Sequence, residues 1–149
     1  MHSENKTPAQ LKKLIYLTFY KDKDRMDKKK TILVAEDQLD NFALVKVYLS
    51  DTYEIIHAEN GAEAIEMIKK NAANIDAILM DIKMPIIDGI EATQEIRKLR
   101  FEKPIIALTA YAYPEDKIIA LNAGCDYYLT KPISHDNLLE TLEMILTVE

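Results

Sequence analysis

The 149-residue sequence is poor in the residues that build cross-linked, repetitive or metal-thiolate proteins: one cysteine, three glycines, five prolines and three histidines. A lone thiol, Cys125, closes no internal disulfide, and a reducing, cytoplasmic home is the natural expectation. So little glycine and proline excludes collagen-like and low-complexity chains. His2, His57 and His135 are scattered, so no Cys/His cluster competes for a metal. No uncharged apolar run approaches the ~20 residues of a membrane helix. The start, Met1-His2-Ser3-Glu4-Asn5-Lys6, lacks the apolar core of a signal peptide. What remains is an ordinary globular composition, 48% hydrophobic and 30% charged. A chain of this size folds as one domain, with or without a tail, and buries about 68–70% of its unfolded surface.

Charge divides the chain. Residues 1–30 carry nine Lys/Arg against four acids, a net +5, and the other 119 residues carry a net −11. The asymmetry sets a boundary near residue 30, with an N-terminal basic extension over 1–29 and a domain over 30–149. An acidic domain is a poor nucleic-acid binder, because that affinity rests on neutralising phosphates with Lys and Arg. The basic extension suits a solvated leader and could touch anionic surfaces.

From residue 31 onward two textures alternate. Short apolar runs read as buried strands: 31–35, 53–58, 75–80, 104–108 and 126–129. Between them run helical spacings. Leu39, Phe42, Val45 and Leu49 form one apolar face, and Ala62, Ile65, Met67 and Ile68 a second. Ile90, Ile96 and Leu99 form a third, Ile118, Ile119 and Leu121 a fourth, and Leu138, Leu142, Ile145 and Leu146 a fifth. Asn122-Ala123-Gly124 reads as a helix end with a left-handed glycine, and Ser134 as an N-cap. Five strands alternating with five helices imply βαβ units, a parallel sheet and helices on both faces. In such sheets ligands sit at the carboxyl ends of the strands.

Those ends carry Glu36-Asp37, Asp81, Thr109 and Thr130-Lys131-Pro132. Taken alone, Glu36-Asp37 would equally suit a helix N-terminus, which favours acids. Three carboxylates drawn together repel unless they share a cation. All-oxygen ligation with room for water suits Mg²⁺ (or Mn²⁺) rather than Zn²⁺. A carboxylate beside such an ion can attack a phosphoryl group to give an aspartyl phosphate. A lysine and the metal would then neutralise the transferred oxygens.

Four segments carry a family resemblance: Val34-Ala35-Glu36-Asp37, Met80 to Gly89, Ala107-Leu108-Thr109-Ala110 and Tyr128-Leu129-Thr130-Lys131-Pro132. In order and wording they resemble the receiver domain of two-component response regulators, most of all the receivers of hybrid histidine kinases, over about 30–147. The resemblance implies an α/β fold, flavodoxin-like and doubly wound, (βα)5 with a five-stranded parallel sheet. It implies Asp81 as phosphoacceptor, Asp37 as direct Mg²⁺ ligand, Glu36 as an acid holding the ion largely through water, and the Lys83 backbone carbonyl as a further ligand. Thr109 matches the switch hydroxyl, Lys131 the phosphate-pairing lysine and Tyr128 the switch aromatic. The Lys131–Pro132 bond matches a peptide usually cis in the family. Gly89, closing the loop after Asp81, is expected to supply a positive φ. Lys83 and Tyr111, two residues past Asp81 and Thr109, would flank the path of the hydrolytic water and tune dephosphorylation.

The implied protein is a signalling domain, catalysing only its own phosphorylation and dephosphorylation. Its implied partners are a histidine kinase or histidine phosphotransfer protein and an output protein. A homodimer would form through the face of the fourth helix, fifth strand and fifth helix, or through the N-terminal segment. Neither direct nucleic-acid binding nor a membrane is expected, and no DNA-binding domain is expected after Glu149. Two rivals fit less well. A phosphatase of the haloacid dehalogenase type needs an acid where Lys83 stands and a cap domain for which there is no room. A flavodoxin needs a Ser/Thr/Gly-rich loop where Glu36-Asp37-Gln38 would repel phosphate. In the extension, Thr7-Pro8 reads as N-cap and N1, and Leu11, Leu14 and Ile15 as the stripe of a candidate helix over 8–20. A charged linker over 22–30 follows, within which Met26 would suit a native start.

Overall fold

The computed structural model describes residues 5–20, 28–111 and 113–147. Five strands, β1 (Thr31–Ala35), β2 (Glu54–Ala58), β3 (Ala77–Asp81), β4 (Ile105–Thr109) and β5 (Tyr127–Thr130), form one sheet in the order β2-β1-β3-β4-β5. All four pairings are parallel. The helices are α1 (Pro8–Ile15), α2 (Leu39–Leu49), α3 (Gly61–Asn71), α4 (Gly89–Lys98), α5 (Pro114–Ala123) and α6 (His135–Thr147). No helix among the described residues is long and apolar enough to cross a membrane.

The central strands β1, β3 and β4 are apolar on both faces because both faces are covered. Alternate side chains serve opposite cores. Ile32, Val34, Leu79, Ile106 and Leu108 pack with Val45 and Leu49 of α2 and with Leu138 and Leu142 of α6. Leu33, Ile78, Met80 and Ile105 pack with Ile65 and Ile68 of α3 and Ile96 of α4. Each such side chain contributes about 1.5–3 kcal/mol through burial.

Local signals position the helices. The Asn60 side chain accepts from the Glu63 N–H and the Asp88 side chain from the Glu91 N–H, at 2.8 Å each, capping α3 and α4. Gly124 ends α5 in the left-handed region with φ 118°. Arg97 ties α4 to the start of β5, donating to the Gly124 carbonyl at 3.0 Å and pairing with Asp126 at 2.8 Å.

Three sequence expectations change. Gly89 has no positive φ; the left-handed residue of its loop is Ile86, with φ 72°. Gly89 is required by close approach instead, since a Cβ there would run into the Asp81 carbonyl oxygen and lie 2.8 Å from Ile82 Cα. On α5 the stripe of Ile118, Ile119 and Leu121 faces out, while Ala120 and Ala123 are buried. The small side chains let α5 sit close against its neighbours, which turns the larger ones to solvent. Leu39, at the first turn of α2, is likewise exposed.

In the extension, α1 carries a complete capping box between Thr7 and Gln10. A π-helical turn, Tyr16–Tyr20, follows it, and Leu11, Leu14 and Ile15 are exposed. Most of the charged linker, Met26 included, lies outside the described residues. Lys29 and Lys30 just before β1 donate to the carbonyls of Ser50 and Leu146, at the ends of α2 and α6.

A β-branched residue held at positive φ stores strain, and Ile86 is exposed, with little burial to offset it. Ile86→Asn is expected to raise stability by about 1 kcal/mol. Gly89→Ala is expected to lower it by about 2 kcal/mol or more through overpacking against backbone. Urea midpoints at constant m-value check both signs.

Candidate functional site

The chain leaves β1 toward one side of the sheet and returns to pair β3 on the other, so the carboxyl ends of β1 and β3 adjoin at the switch point where open α/β sheets form their crevice. Glu36-Asp37 follows β1, and Asp81 ends β3. One carboxylate oxygen from each of Glu36, Asp37 and Asp81 lies within 4.8 Å of the other two. Glu36 and Asp81 are buried, at 2% and 4% exposure.

Lys131, just beyond β5, reaches into this cluster. Its Nζ lies 3.0 Å from Glu36 Oε2 and 3.1 Å from Asp81 Oδ2. The Lys131–Pro132 peptide is cis. The Lys83 N–H donates to Asp81 Oδ1 at 3.2 Å. Thr109, buried at the end of β4, accepts from the Tyr111 N–H at 3.1 Å. Asp37, Asp81, Lys83, Thr109, Ala110 and Lys131 line one cleft of about 210 Å³.

Two further expected residues meet at the mouth. Lys83 Nζ donates to the Tyr111 hydroxyl at 3.1 Å and sits 4.2 Å from its ring centroid, a cation–π arrangement. Tyr128 is half-buried, and its hydroxyl donates to the Tyr111 backbone carbonyl.

The electrostatics follow from crowding. Burial first, and then the Glu36 carboxylate, push Asp81 up to about 6 from its ordinary 3.8, against the opposing pull of Lys131. Burial works against the Lys131 ammonium, but its hydrogen bonds and charge pairing with Glu36 and Asp81 outweigh that and raise its pKa.

The two acids after β1 differ in how they are held. Glu36 is engaged at every polar atom. Its N–H donates to the Ala58 carbonyl and its carbonyl meets the His57 ring. Oε1 accepts from the Gln38 N–H, and Oε2 meets Lys131. Asp37 Oδ1, by contrast, is buried with no hydrogen-bond partner among the described residues. A buried oxygen without a donor is costly unless a cation meets it. With three converging carboxylates, it fits a hard, oxygen-preferring divalent ion.

His57 and Gln38 are the residues of this site that sequence reading missed. In the sequence His57 is one of three scattered histidines with no ligand spacing. Gln38 carries no motif signal beyond its adjacency to the acids.

The comparisons with known proteins agree with this geometry. The family model of the response regulator receiver domain matches residues 32–143. The chain belongs to that family. It is 38% identical over 119 residues to the chemotaxis protein CheY of Halobacterium salinarum, covering 79% of this chain and 98% of that one. It is 40% identical over 119 residues to hybrid signal transduction histidine kinase I of Dictyostelium discoideum, covering 74% of this chain but only 7% of the kinase. Among solved structures, it superposes with a TM-score of 0.74 and 34% identity on the receiver domain of sensor histidine kinase PA1611 from Pseudomonas aeruginosa, covering 80% and 98% of the two chains. That structure has a magnesium ion coordinated in its active-site cleft. It superposes equally, with 30% identity and 79% and 89% coverage, on the receiver domain of Ssk1 in complex with the histidine phosphotransfer protein Ypd1 of Saccharomyces cerevisiae. The chain therefore carries a receiver domain of the two-component signalling family, with its flavodoxin-like parallel fold.

The raised Asp81 pKa has a thermodynamic consequence. A carboxyl whose folded pKa exceeds its unfolded value contributes stability below the unfolded value, and that contribution is lost as pH rises through the folded one. Without divalent cations, the wild type is expected to lose stability relative to Asp81→Asn between about pH 4 and pH 7. The pocket opens to water, which screens the charges, so the change is about 1–2 kcal/mol. Chemical denaturation of both proteins in EDTA across that range reads it, and a flat difference contradicts the stated electrostatics.

Proposed function

We propose that residues 30–149 form a receiver unit in which Asp81 accepts a phosphoryl group, with residues 1–29 as a separate extension. The observation that carries the assignment is the convergence of Glu36, Asp37 and Asp81 with Lys131 bridging two of them. The donor is the phosphohistidine of a histidine kinase or a histidine phosphotransfer protein, or a small donor such as acetyl phosphate. The pairing of Ssk1 with Ypd1 supports the second.

Glu36, Asp37, Asp81 and the Lys83 backbone carbonyl would hold Mg²⁺ or Mn²⁺. Asp37 would touch the ion directly, because its buried oxygen is otherwise orphaned. When bound, the ion supplies positive charge that relieves carboxylate repulsion and neutralises phosphoryl oxygens. A carboxylate oxygen of Asp81 attacks phosphorus and the donor's P–N or P–O bond breaks, the electron pair leaving with the donor. With a pKa of about 6, Asp81 is largely ionised at neutral pH and so competent to attack. Lys131 Nζ, already 3.1 Å from Asp81, pairs with the phosphoryl once it is attached.

The output follows from the same contacts. Thr109 turns toward the phosphoryl and gives up the Tyr111 N–H it now accepts. Tyr128 leaves the Tyr111 carbonyl and moves into the vacated space. The surface of α5, β5 and α6 changes with it, a local electrostatic event biasing a two-state element. The exposed Ile118, Ile119 and Leu121 of α5 support this face as the contact for an output partner or a second copy. Phosphorylation shifts that equilibrium by about 1–3 kcal/mol.

Intact mass after acetyl phosphate treatment tests the phosphoacceptor. Wild type gains one phosphoryl group with Mg²⁺ and none with EDTA, and Asp81→Asn gains none in either. Asp37→Ala weakens Mg²⁺ binding by about tenfold or more, and Glu36→Ala by less. A phosphorylated Asp81→Asn protein sinks the assignment.

The Lys83–Tyr111 pair, closed over the mouth of the cleft, impedes the hydrolytic water. Replacing both residues with alanine is expected to shorten the phosphoryl half-life severalfold. Equal half-lives would show that the pair does not gate water. In the same preparations, beryllium fluoride, a stand-in for the phosphoryl, should move the amide resonances of α5 and β5. Unmoved resonances there would refute the switch.

A further inference from the structure

β1 and β2 run parallel in a register that sets Val34 beside His57 and Ala35 beside Ala58. One residue past β1, the Glu36 N–H still donates to the Ala58 carbonyl at 3.0 Å. β2 ends there, and the Glu36 carbonyl is met by His57 Nε2 instead, at 2.8 Å. A carbonyl only accepts, so Nε2 carries the hydrogen. The ring is held for this task. It lies stacked on Phe42 of α2, with centroids 3.7 Å apart and planes 9° apart. His57 thus joins three elements: it sits on β2, leans on α2 and holds the first residue beyond β1.

We propose that His57 is a positioning residue for the divalent-cation site: its Nε2–H fixes the Glu36 carbonyl and thereby the turn that delivers Asp37 to the ion. The inference rests on the metal-site reading above. The physical argument is one of leverage. The peptide that follows the Glu36 carbonyl is the one that begins Asp37. Rotation of that peptide moves the Asp37 carboxylate directly, whereas the Glu36 side chain is held independently by Lys131 and the Gln38 N–H. Without the His57 donor, the Glu36–Asp37 peptide loses its hydrogen bond, and Asp37 is left aimed only by Gln38, whose N–H holds Glu36 Oε1 and whose amide reaches Asp37 Oδ2 at 3.4 Å. Partners that orient metal ligands from outside the ligand set commonly change metal affinity about 10–100-fold when removed. His57 acts through backbone, so the lower end of that range is expected.

Three proteins separate the hydrogen bond from the stack. His57→Phe keeps an aromatic ring against Phe42 and removes the donor. His57→Gln removes the ring but places an amide nitrogen the same number of bonds from Cβ. Mg²⁺ affinity by calorimetry should fall about tenfold in His57→Phe and return to within about threefold of wild type in His57→Gln. The Mg²⁺ concentration giving half-maximal phosphorylation should rise in parallel, with the rate at saturating Mg²⁺ kept. Wild-type affinity in His57→Phe, or equal losses in both variants, overturns the inference.

A measurement on the unaltered protein guards against a variant that fails to fold. Imidazole ¹⁵N spectra at alkaline pH should show His57 protonated at Nε2, with a resonance that moves on Mg²⁺ addition. Protonation at Nδ1 instead, or a resonance indifferent to Mg²⁺, also overturns it. A wild type that binds no Mg²⁺ overturns the metal-site reading, and this inference with it. A wild type that binds Mg²⁺ no better than His57→Phe overturns this inference alone.

Discussion

Repulsion among the carboxylates at the ends of β1 and β3 is the constraint around which the protein is organised. Glu36, Asp37 and Asp81 are held within a few ångströms of one another at the edge of a dry sheet. Left to themselves they would separate or take up protons. The strands carrying them cannot separate, because β1 and β3 are hydrogen-bonded neighbours with apolar side chains packed on both faces. Core burial thus holds an arrangement that the charges alone oppose. That opposition is what makes the site receptive to positive charge, whether from Lys131 or from a divalent ion.

Much of the surrounding structure serves to hold this arrangement still. Gly89 brings the start of α4 against the Asp81 backbone, at a distance no side chain would allow. The Gly89 N–H donates to the Ile82 carbonyl, and the Ile82 N–H to the Leu108 carbonyl, so the loop after Asp81 is pinned on both sides. Glu36 is clamped at four atoms. Among the described residues, the one buried side-chain oxygen left without a donor belongs to Asp37. The backbone around the carboxylates is thus heavily hydrogen-bonded, while an acceptor of Asp37 inside the cluster is left unpaired.

Residues above the cleft are tied chiefly to one another. The backbone of Tyr111 is touched by Thr109 and by the Tyr128 hydroxyl, and its side chain by Lys83. A single loop after β4 therefore connects the group that would sense the phosphoryl, the aromatic that would report it and the pair that would shield it. Coupling among them needs no long pathway, because all three act on one short segment.

The sequence alone was enough to place Asp81, Thr109 and Lys131 at strand ends and Gly124 at a left-handed cap. Each of these signals is local: an apolar run stops where a polar residue begins, and a helix stops where only glycine fits. The doubly wound sheet was equally legible, since strands buried on both faces must be apolar throughout and must alternate with covering helices. The exposure of Ile118 and Ile119 was not legible, because apolar periodicity does not say which face of a helix finds a neighbour. Nor was the conformation at Ile86 and Gly89. That depends on how closely α4 approaches β3, and a side chain's own preference reveals nothing of it. His57 is the clearest case. It lies twenty-one positions beyond Glu36, and nothing in either segment refers to the other. Only the parallel pairing of β2 with β1, and the stacking of α2 across them, bring the imidazole to the carbonyl. Local chemistry thus determined which residues stand at the strand ends, and the long-range packing of strands and helices decided how closely they are brought together and by what they are held.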